Sequence, residues 1–238
     1  MKRTLAVAAC ALLAACAPSP GLDERRAVFL GSAAQPSAVI AAELAFARMA
    51  REKGTWTAFR ATATDDAIWP APGWQNVKAA LRGLPDPAQP ILWEPDMVWS
   101  SCDGSFALST GPATWPDGRK TRFATIWQRQ DNGEYRWVLD QGLDADAAYT
   151  KPEMIAAEVA ECSKRRLGDP RQKARRGLAW QSGQSDDGTL AWATELSSDC
   201  SRRFTVTARR DGAMTQVFSA RATAPAATAG SPRPTCPA

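Results

Sequence analysis

The stretch Ile91–Gly142 decides the fold, and it reads ILWEPDMVWSSCDGSFALSTGPATWPDGRKTRFATIWQRQDNGEYRWVLDQG. Its alternating apolar residues predict strands at Leu92–Ser101, Phe106–Trp115, Arg119–Gln130 and Tyr135–Gly142. The gaps between these strands contain Asp-Gly or Asn-Gly pairs, which tolerate the positive backbone angles of tight hairpins. The stretch therefore predicts a four-stranded antiparallel meander.

Three helices are predicted before the meander. The first starts near Ser37, and its apolar residues recur at three- and four-residue spacing, at Val39, Ala42, Phe46 and Met49. Glu43 is assigned to the opposite, polar side. A helix Thr55–Ala63, a short strand Asp65–Trp69 and a helix Val77–Gly83 follow. This order predicts an α+β domain over residues 36–150, with helices covering one face of a curved antiparallel sheet.

The chain after the meander has a different composition. Pro152 is expected to open a helix that leads into a basic linker, together spanning residues 151–176. Residues 177–220 predict a small β meander, in which Asp211-Gly212 marks a hairpin. A unit of this size buries little surface alone, so it is expected to dock on the first domain or to be stapled. Residues 221–238 are predicted to be a disordered tail.

The N-terminus has the pattern of a secretion signal. A basic start and a short apolar run end at Leu13-Ala14-Ala15-Cys16, which resembles the lipobox of bacterial lipoproteins. The resemblance implies a signal peptide over residues 1–15, acylation of Cys16 by fatty acids such as palmitate, and a tether over residues 16–35. It also implies outer-membrane anchoring with the protein facing the periplasm. The alternative is a secreted protein cut near Ala17.

The net charge and the cysteine content limit the partners, metal sites and disulfides that can be expected. Cleavage before Cys16 removes two basic residues from a chain of 29 basic and 25 acidic residues, and the resulting net charge of +2 indicates no nucleic-acid partner. The chain has no histidine and no Cys-x-x-Cys pair, so neither a metal site nor a cofactor is expected. Four cysteines remain for disulfides, and they allow three pairings. A bond between Cys162 and Cys200 is the first expectation among these.

Several segments, taken in order, resemble the nuclear transport factor 2-like superfamily, in particular its SnoaL-like branch. They are Ala42–Ala47, Ala58-Phe59, Asp65–Ala67, Trp93–Pro95, Thr110–Pro112, Thr125–Arg129 and Trp137–Asp140. The resemblance covers residues 35–149. It implies a bent sheet wrapped around a long helix as a cone, open at one end to an apolar pocket, and it often implies a homodimer.

The resemblance also implies where chemistry would occur. Enzymes of this superfamily use acidic residues, histidine or tyrosine inside the cone, and ketosteroid isomerases place an aspartate where this chain has Trp69. Asp140 is the remaining candidate for a catalytic acid or base, or for a ligand anchor, and alternation places it on one face with Val138. The alternative is a structural role, in which Asp140 forms an ion pair with Arg122 or Arg129 or accepts from backbone donors near the helix ends.

Tryptophan is abundant in the predicted cone. Candidate wall residues for an apolar pocket are Trp69, Trp74, Trp93, Trp115 and Trp127. Core packing is the alternative for each of them. We therefore expect a non-catalytic module that binds a small apolar molecule or associates with protein; the alternative is an isomerase-like or cyclase-like enzyme that uses Asp140. A third hypothesis is a filled cone with a dimer interface on the outer sheet face.

Overall fold

The computed structural model describes residues 34–147, 149–163, 174–227 and 233–237. The predicted signal peptide, nearly all of the tether and Cys16 lie outside these ranges, as does most of the basic linker. In the described ranges, no helix has both the length and the apolar character needed to cross a bilayer.

The N-terminal helices form the inner part of the cone. Helix α1 (Pro36–Lys53) has proline in its first turn, where the missing N–H costs nothing, and ends at Gly54. Gly54 has a φ of 105°, which residues with a Cβ rarely adopt, and helix α2 (Thr55–Thr62) starts directly after it. Helix α3 (Val77–Ala80) is short and is capped by Asn76, whose side-chain oxygen accepts from the N–H of Ala79 at 2.9 Å.

The first sheet has eight strands in the described part of the chain. They are β1 (Ala63–Pro70), β2 (Trp74–Asn76), β3 (Leu92–Trp93), β4 (Met97–Ser100), β5 (Phe106–Thr114), β6 (Lys120–Arg129), β7 (Tyr135–Asp144) and β8 (Ala156–Val159). The main path runs β2-β1-β7-β6-β5-β4-β8, and β3 also pairs with β5. The predicted sheet was purely antiparallel, but β1 lies parallel to β7 and β8 lies parallel to β4.

Helix α1 packs in the concave face of this curved sheet. Its buried residues include Val39, Phe46 and Ala50, which join a core containing Trp127 and Trp137. Burial of these large rings is the main source of stability for this layer. The predicted α+β cone with three N-terminal helices is thereby confirmed.

The predicted strand Leu92–Ser101 is interrupted. Pro95 has no N–H to donate, and β3 ends two residues before it. The carbonyl of Glu94 lies against Gly111, where any side chain would collide with it. Because of this interruption, Trp93 points to the inner core while Trp99 packs in the outer one.

A second, five-stranded sheet covers the outer face of the first. Its strands run in sequence order as β9 (Ala174–Arg176), β10 (Trp180–Gln184), β11 (Leu190–Leu196), β12 (Arg202–Arg210) and β13 (Ala213–Ala222). One core joins the two sheets and contains Trp99, Leu108 and Ile126 from the first and Trp192 and Phe204 from the second. The predicted small unit therefore docks on the cone as the second layer of a sandwich. A homodimer stays a prediction, and the outer sheet face is already covered by this chain.

The helix predicted from Pro152 is wrong. Residues Ala156–Val159 form strand β8, which pairs with Met97–Ser100 at the edge of the sheet. Its register places Val159 beside Ser100, so the chain continues with Cys162 next to Cys102. Pairing with β8 satisfies the backbone groups at the open edge of β4. A helix in its place would leave this edge unpaired and would bury little apolar surface through its narrow apolar stripe.

The disulfides are Cys102–Cys162 and Cys200–Cys236, so the expected Cys162–Cys200 bond is wrong. Cys162 is held beside Cys102 by the β4–β8 pairing, with Cα atoms 5.1 Å apart. Cys200 lies in the turn between β11 and β12, where it meets the C-terminal segment. Part of the tail predicted to be disordered is therefore fixed, since the N–H of Cys236 also donates to Ser198 at 2.9 Å.

Candidate functional site

A cavity of about 410 Å³ opens at one end of the cone. Its aromatic lining consists of Trp56, Phe59, Trp69, Trp93, Trp115 and Phe123. Cavities of this size suit small organic ligands, which are usually held by apolar walls and a few polar groups. The cavity has this volume and this aromatic lining in the protein alone.

The aromatic walls are held by contacts between elements. Trp56 and Phe59 project from α2 toward Trp69 on β1, with ring centroids 5.5 Å and 5.9 Å from the Trp69 ring. Phe59 also contacts Trp93 at 6.2 Å. Edge-on contacts of this kind fix ring orientation, so the apolar surface of the cavity is preformed.

Asp140 faces this cavity because of an irregularity in β7. The register changes from Trp127–Trp137 to Ile126–Leu139, which leaves Val138 as an extra residue. Trp137 consequently lies in the inner core and Val138 in the outer one, while Asp140 lines the cavity. Asp140 faces the cavity as expected, but it does not share a face with Val138.

The carboxyl group of Asp140 is enclosed by protein except where it meets the cavity. One oxygen accepts from the Thr125 hydroxyl at 2.7 Å. Burial raises the pKa of Asp140 to about 7, and the negative charge of Glu43 adds to this rise while the Thr125 hydrogen bond opposes it. Neither Arg122 nor Arg129 pairs with it, because Arg122 binds Asp96 at 2.7 Å and Arg129 donates to a backbone carbonyl.

Glu43 is a second carboxyl group inside the cone, and the sequence prediction missed it. Its side chain is fully buried and accepts from Trp93 Nε1 at 2.7 Å, Trp127 Nε1 at 3.0 Å and the Ser109 hydroxyl at 2.5 Å. Burial raises the pKa of Glu43, although these three hydrogen bonds oppose the rise. Its place at helical spacing between Val39 and Phe46 was the available signal.

Two of the five predicted wall tryptophans lie elsewhere. Trp127 is buried under α1, where its N–H donates to Glu43 and Ser109. Trp74 packs on the outer core and beside the Cys200–Cys236 disulfide. Trp69, Trp93 and Trp115 do line the cavity, and Trp56 on α2, which was not among the predicted wall residues, lines it as well.

Asp65 and Asp66 lie on the surface away from the cavity. Asp65 pairs with Lys78 at 2.7 Å, and Asp66 pairs with Arg176 at 2.9 Å. Exposed pairs such as these contribute little to stability. Both lie within strand β1, which contains the predicted short strand Asp65–Trp69, and neither lines the cavity.

The far side of the cavity is polar and comes partly from the second sheet. Its residues include Arg202 from β12, Asp144 from the end of β7, and Thr223. Asp144 accepts from the N–H of Thr223 at 2.9 Å and from its hydroxyl at 2.5 Å. Arg119, at the exposed rim, stacks on the Trp115 ring at 4.2 Å. The sequence prediction treated the C-terminal unit separately and missed this contribution.

Among the residues that the structure describes, no three His, Cys, Asp or Glu side chains are grouped as ligands for an ion. The chemistry that the described site offers is hydrogen bonding or proton transfer by Asp140 within an aromatic cavity.

Comparison with solved structures finds proteins that match half of this chain or less. A provisionally assigned ketosteroid isomerase from Parabacteroides distasonis is 12% identical and matches over 44% of this chain and 87% of its own, with a TM-score of 0.35. A provisionally assigned aromatic ring hydroxylase from Novosphingobium aromaticivorans is 14% identical over 45% and 86%, also with a TM-score of 0.35. A nuclear transport factor 2-like protein of unknown function from Pseudomonas putida is 14% identical over 50% and 93%, again with a TM-score of 0.35. No protein-family model and no curated protein matches the chain.

Proposed function

We propose that the protein is a small-molecule binding module whose cone holds a flat apolar molecule against its tryptophans, with Asp140 as the polar anchor. The observation that carries this proposal is the preformed aromatic cavity of about 410 Å³, with the carboxyl group of Asp140 in its wall beside the tryptophans. An indole offers a large apolar face, so four of them favour a planar, mostly hydrophobic ligand.

Two polar groups would orient such a ligand. Trp69 lines the cavity, and its buried Nε1 has no hydrogen-bond partner among the described residues. Asp140 is a donor when protonated and an acceptor when ionised, and its pKa of about 7 makes both forms accessible near neutrality. A ligand with a carbonyl or hydroxyl group matches this pair.

The test is a titration of the full chain with 2-naphthamide, an uncharged planar probe, followed by ligand-observed NMR. Ala113 lies in the cavity wall, so Ala113→Trp fills the space and is expected to abolish binding. Ala41→Trp introduces the same side chain at an exposed position of α1 and is the matched control. Binding that survives Ala113→Trp, or absence of binding to the unmodified protein, would refute the proposal.

A second candidate function is proton transfer by Asp140, as in an isomerase or cyclase. The raised pKa of Asp140 favours it, because a general base works best when its pKa lies near the working pH. The carboxylate would take a proton from a carbon beside a ligand carbonyl and return it to another position. Exchange of the α-protons of 2-tetralone in D2O measures the first half of this reaction.

Asp140→Asn separates the two functions. Exchange above the buffer rate that is lost in Asp140→Asn, with 2-naphthamide binding retained, supports the enzyme. Binding without exchange in the unmodified protein supports the module.

We also propose that this module is anchored by lipid on Cys16 in the bacterial envelope, on the periplasmic face of the outer membrane. Two disulfides support an oxidising compartment. Mass spectrometry of the mature N-terminus tests the anchor, and an unmodified Cys16 would remove it.

A further inference from the structure

The cavity wall on the side of the second sheet is cationic. Arg202 leaves β12 toward the cone, and its Nη2 donates to the carbonyl of Gly142 at 2.9 Å. Its Nε is buried without a partner among the described residues. Burial lowers the pKa of Arg202 to about 10, and the negative charge of Asp144 opposes this change.

Asp144 acts on Arg202 through its charge. The carboxylate of Asp144 receives three hydrogen bonds from Thr223, at 2.5 Å, 2.9 Å and 3.1 Å. A partly buried cation with an incomplete set of acceptors is costly unless a counter-charge arrives from elsewhere.

A second polar side chain at the same wall also lacks hydrogen-bond partners. Gln141 is 2% exposed, and neither its Oε1 nor its Nε2 has a partner among the described residues. Gln141 and Arg202 both line the cavity that Trp69 lines from the other side. Buried polar groups are almost always satisfied by protein, water or a ligand, and Gln141, Arg202 and Trp69 are incomplete in the lining of one cavity.

We propose that the ligand is an amphiphilic carboxylate, with its planar apolar body among the tryptophans and its carboxylate held by Arg202. This inference rests on the proposed binding function and specifies the class of ligand. Guanidinium groups form strong, charge-assisted hydrogen bonds with carboxylates, and a site shielded from water strengthens them. The second sheet thereby supplies the specificity of a pocket whose aromatic walls belong to the cone.

Asp140 makes the binding of an anion depend on pH. The charged or titratable groups around it are Glu43 on α1 and, across the cavity, Arg119, Asp144 and Arg202. Protonation of Asp140 removes one negative charge from the cavity. We therefore expect the carboxylate ligand to bind more tightly at pH 6 than at pH 8.

The experiment compares 2-naphthoate with 2-naphthamide, which have the same ring and differ in charge. Dissociation constants come from ligand-observed NMR with the full chain at pH 6. We expect Arg202→Met to weaken 2-naphthoate roughly tenfold or more, as expected for the loss of a charge-assisted hydrogen bond, and to weaken 2-naphthamide much less. Arg119→Met removes an exposed cation at the rim and is expected to have a much smaller effect.

Arg202→Lys keeps the positive charge and is expected to retain part of the preference for 2-naphthoate over 2-naphthamide. The inference therefore stays testable if Arg202→Met does not fold. Equal affinity of the unmodified protein for both probes would overturn the inference and leave the proposed pocket intact. An unchanged affinity of Arg202→Met for 2-naphthoate would overturn it as well. If neither probe binds the unmodified protein, the proposed function and this inference both fail.

Discussion

Replacement of Asp140 by asparagine should make the protein more stable at pH 8 and leave its stability nearly unchanged at pH 4. The folded state raises the pKa of Asp140 from 3.8 to about 7. An acid whose pKa is raised by folding stabilises the protein fully below its unfolded pKa, and this contribution is lost as pH rises through the folded pKa. The wild-type protein therefore bears the cost of a buried charge above pH 7, and the asparagine variant does not.

The size of the effect follows from the pKa difference. A rise of roughly three units corresponds to about 4 kcal/mol, which is an upper limit because the cavity admits water to the carboxylate. Thr125 can still donate its hydroxyl to the asparagine oxygen, so local packing changes little. Between pH 4 and pH 8, we expect the free energy of unfolding of Asp140→Asn to gain about 2 to 4 kcal/mol relative to wild type.

Urea unfolding of both proteins across this pH range measures the difference, since all other titrating groups are common to both. Thr125→Val is the internal control: removing this donor should raise the pKa of Asp140 further, so the loss of stability continues to a higher pH. Parallel stability curves for wild type and Asp140→Asn would refute the burial of this carboxyl group.

Two further predictions concern stability. Arg122→Met should destabilise the protein by about 3 kcal/mol or more in urea unfolding, because it leaves the buried carboxylate of Asp96 without its partner; a loss below about 1 kcal/mol would show that the pair is accessible to water. Replacing Cys236 by serine should cost about 3 to 4 kcal/mol, since the bond to Cys200 closes a loop with a sequence separation of 36; non-reducing peptide mapping that finds Cys236 free in the wild-type protein would contradict this pairing.

The meander and its turns could be predicted because the signal is local. Three of its four strands, at Phe106–Thr114, Lys120–Arg129 and Tyr135–Asp144, lie within two residues of their predicted ends. Asp-Gly and Asn-Gly turns set the hairpin positions independently of the rest of the chain. Strand β8 was missed because a parallel edge pairing depends on the distant strand β4 and leaves little trace in its own residues.

The candidate site was harder to predict because it depends on exceptions to periodicity. Strict alternation along β7 would place Asp140 and Val138 on the same face of the sheet. One extra residue in β7 places them on opposite faces. Glutamate is usually exposed, and the sequence prediction placed Glu43 on the polar side of α1. Its helical position places it in the core, where three donors surround its carboxyl group. Arg202 lies 62 residues after Asp140, and its approach to the cavity depends on how the two sheets pack.

Native mass spectrometry of the protein isolated from the cells that produce it tests the central claim most directly. We expect the wild-type protein and Ala41→Trp to carry one small organic molecule per chain, identified as a carboxylic acid after release, and Ala113→Trp to carry none. A wild-type protein without a bound molecule, or a molecule that persists in Ala113→Trp, would contradict the account of the cone as a binding cavity.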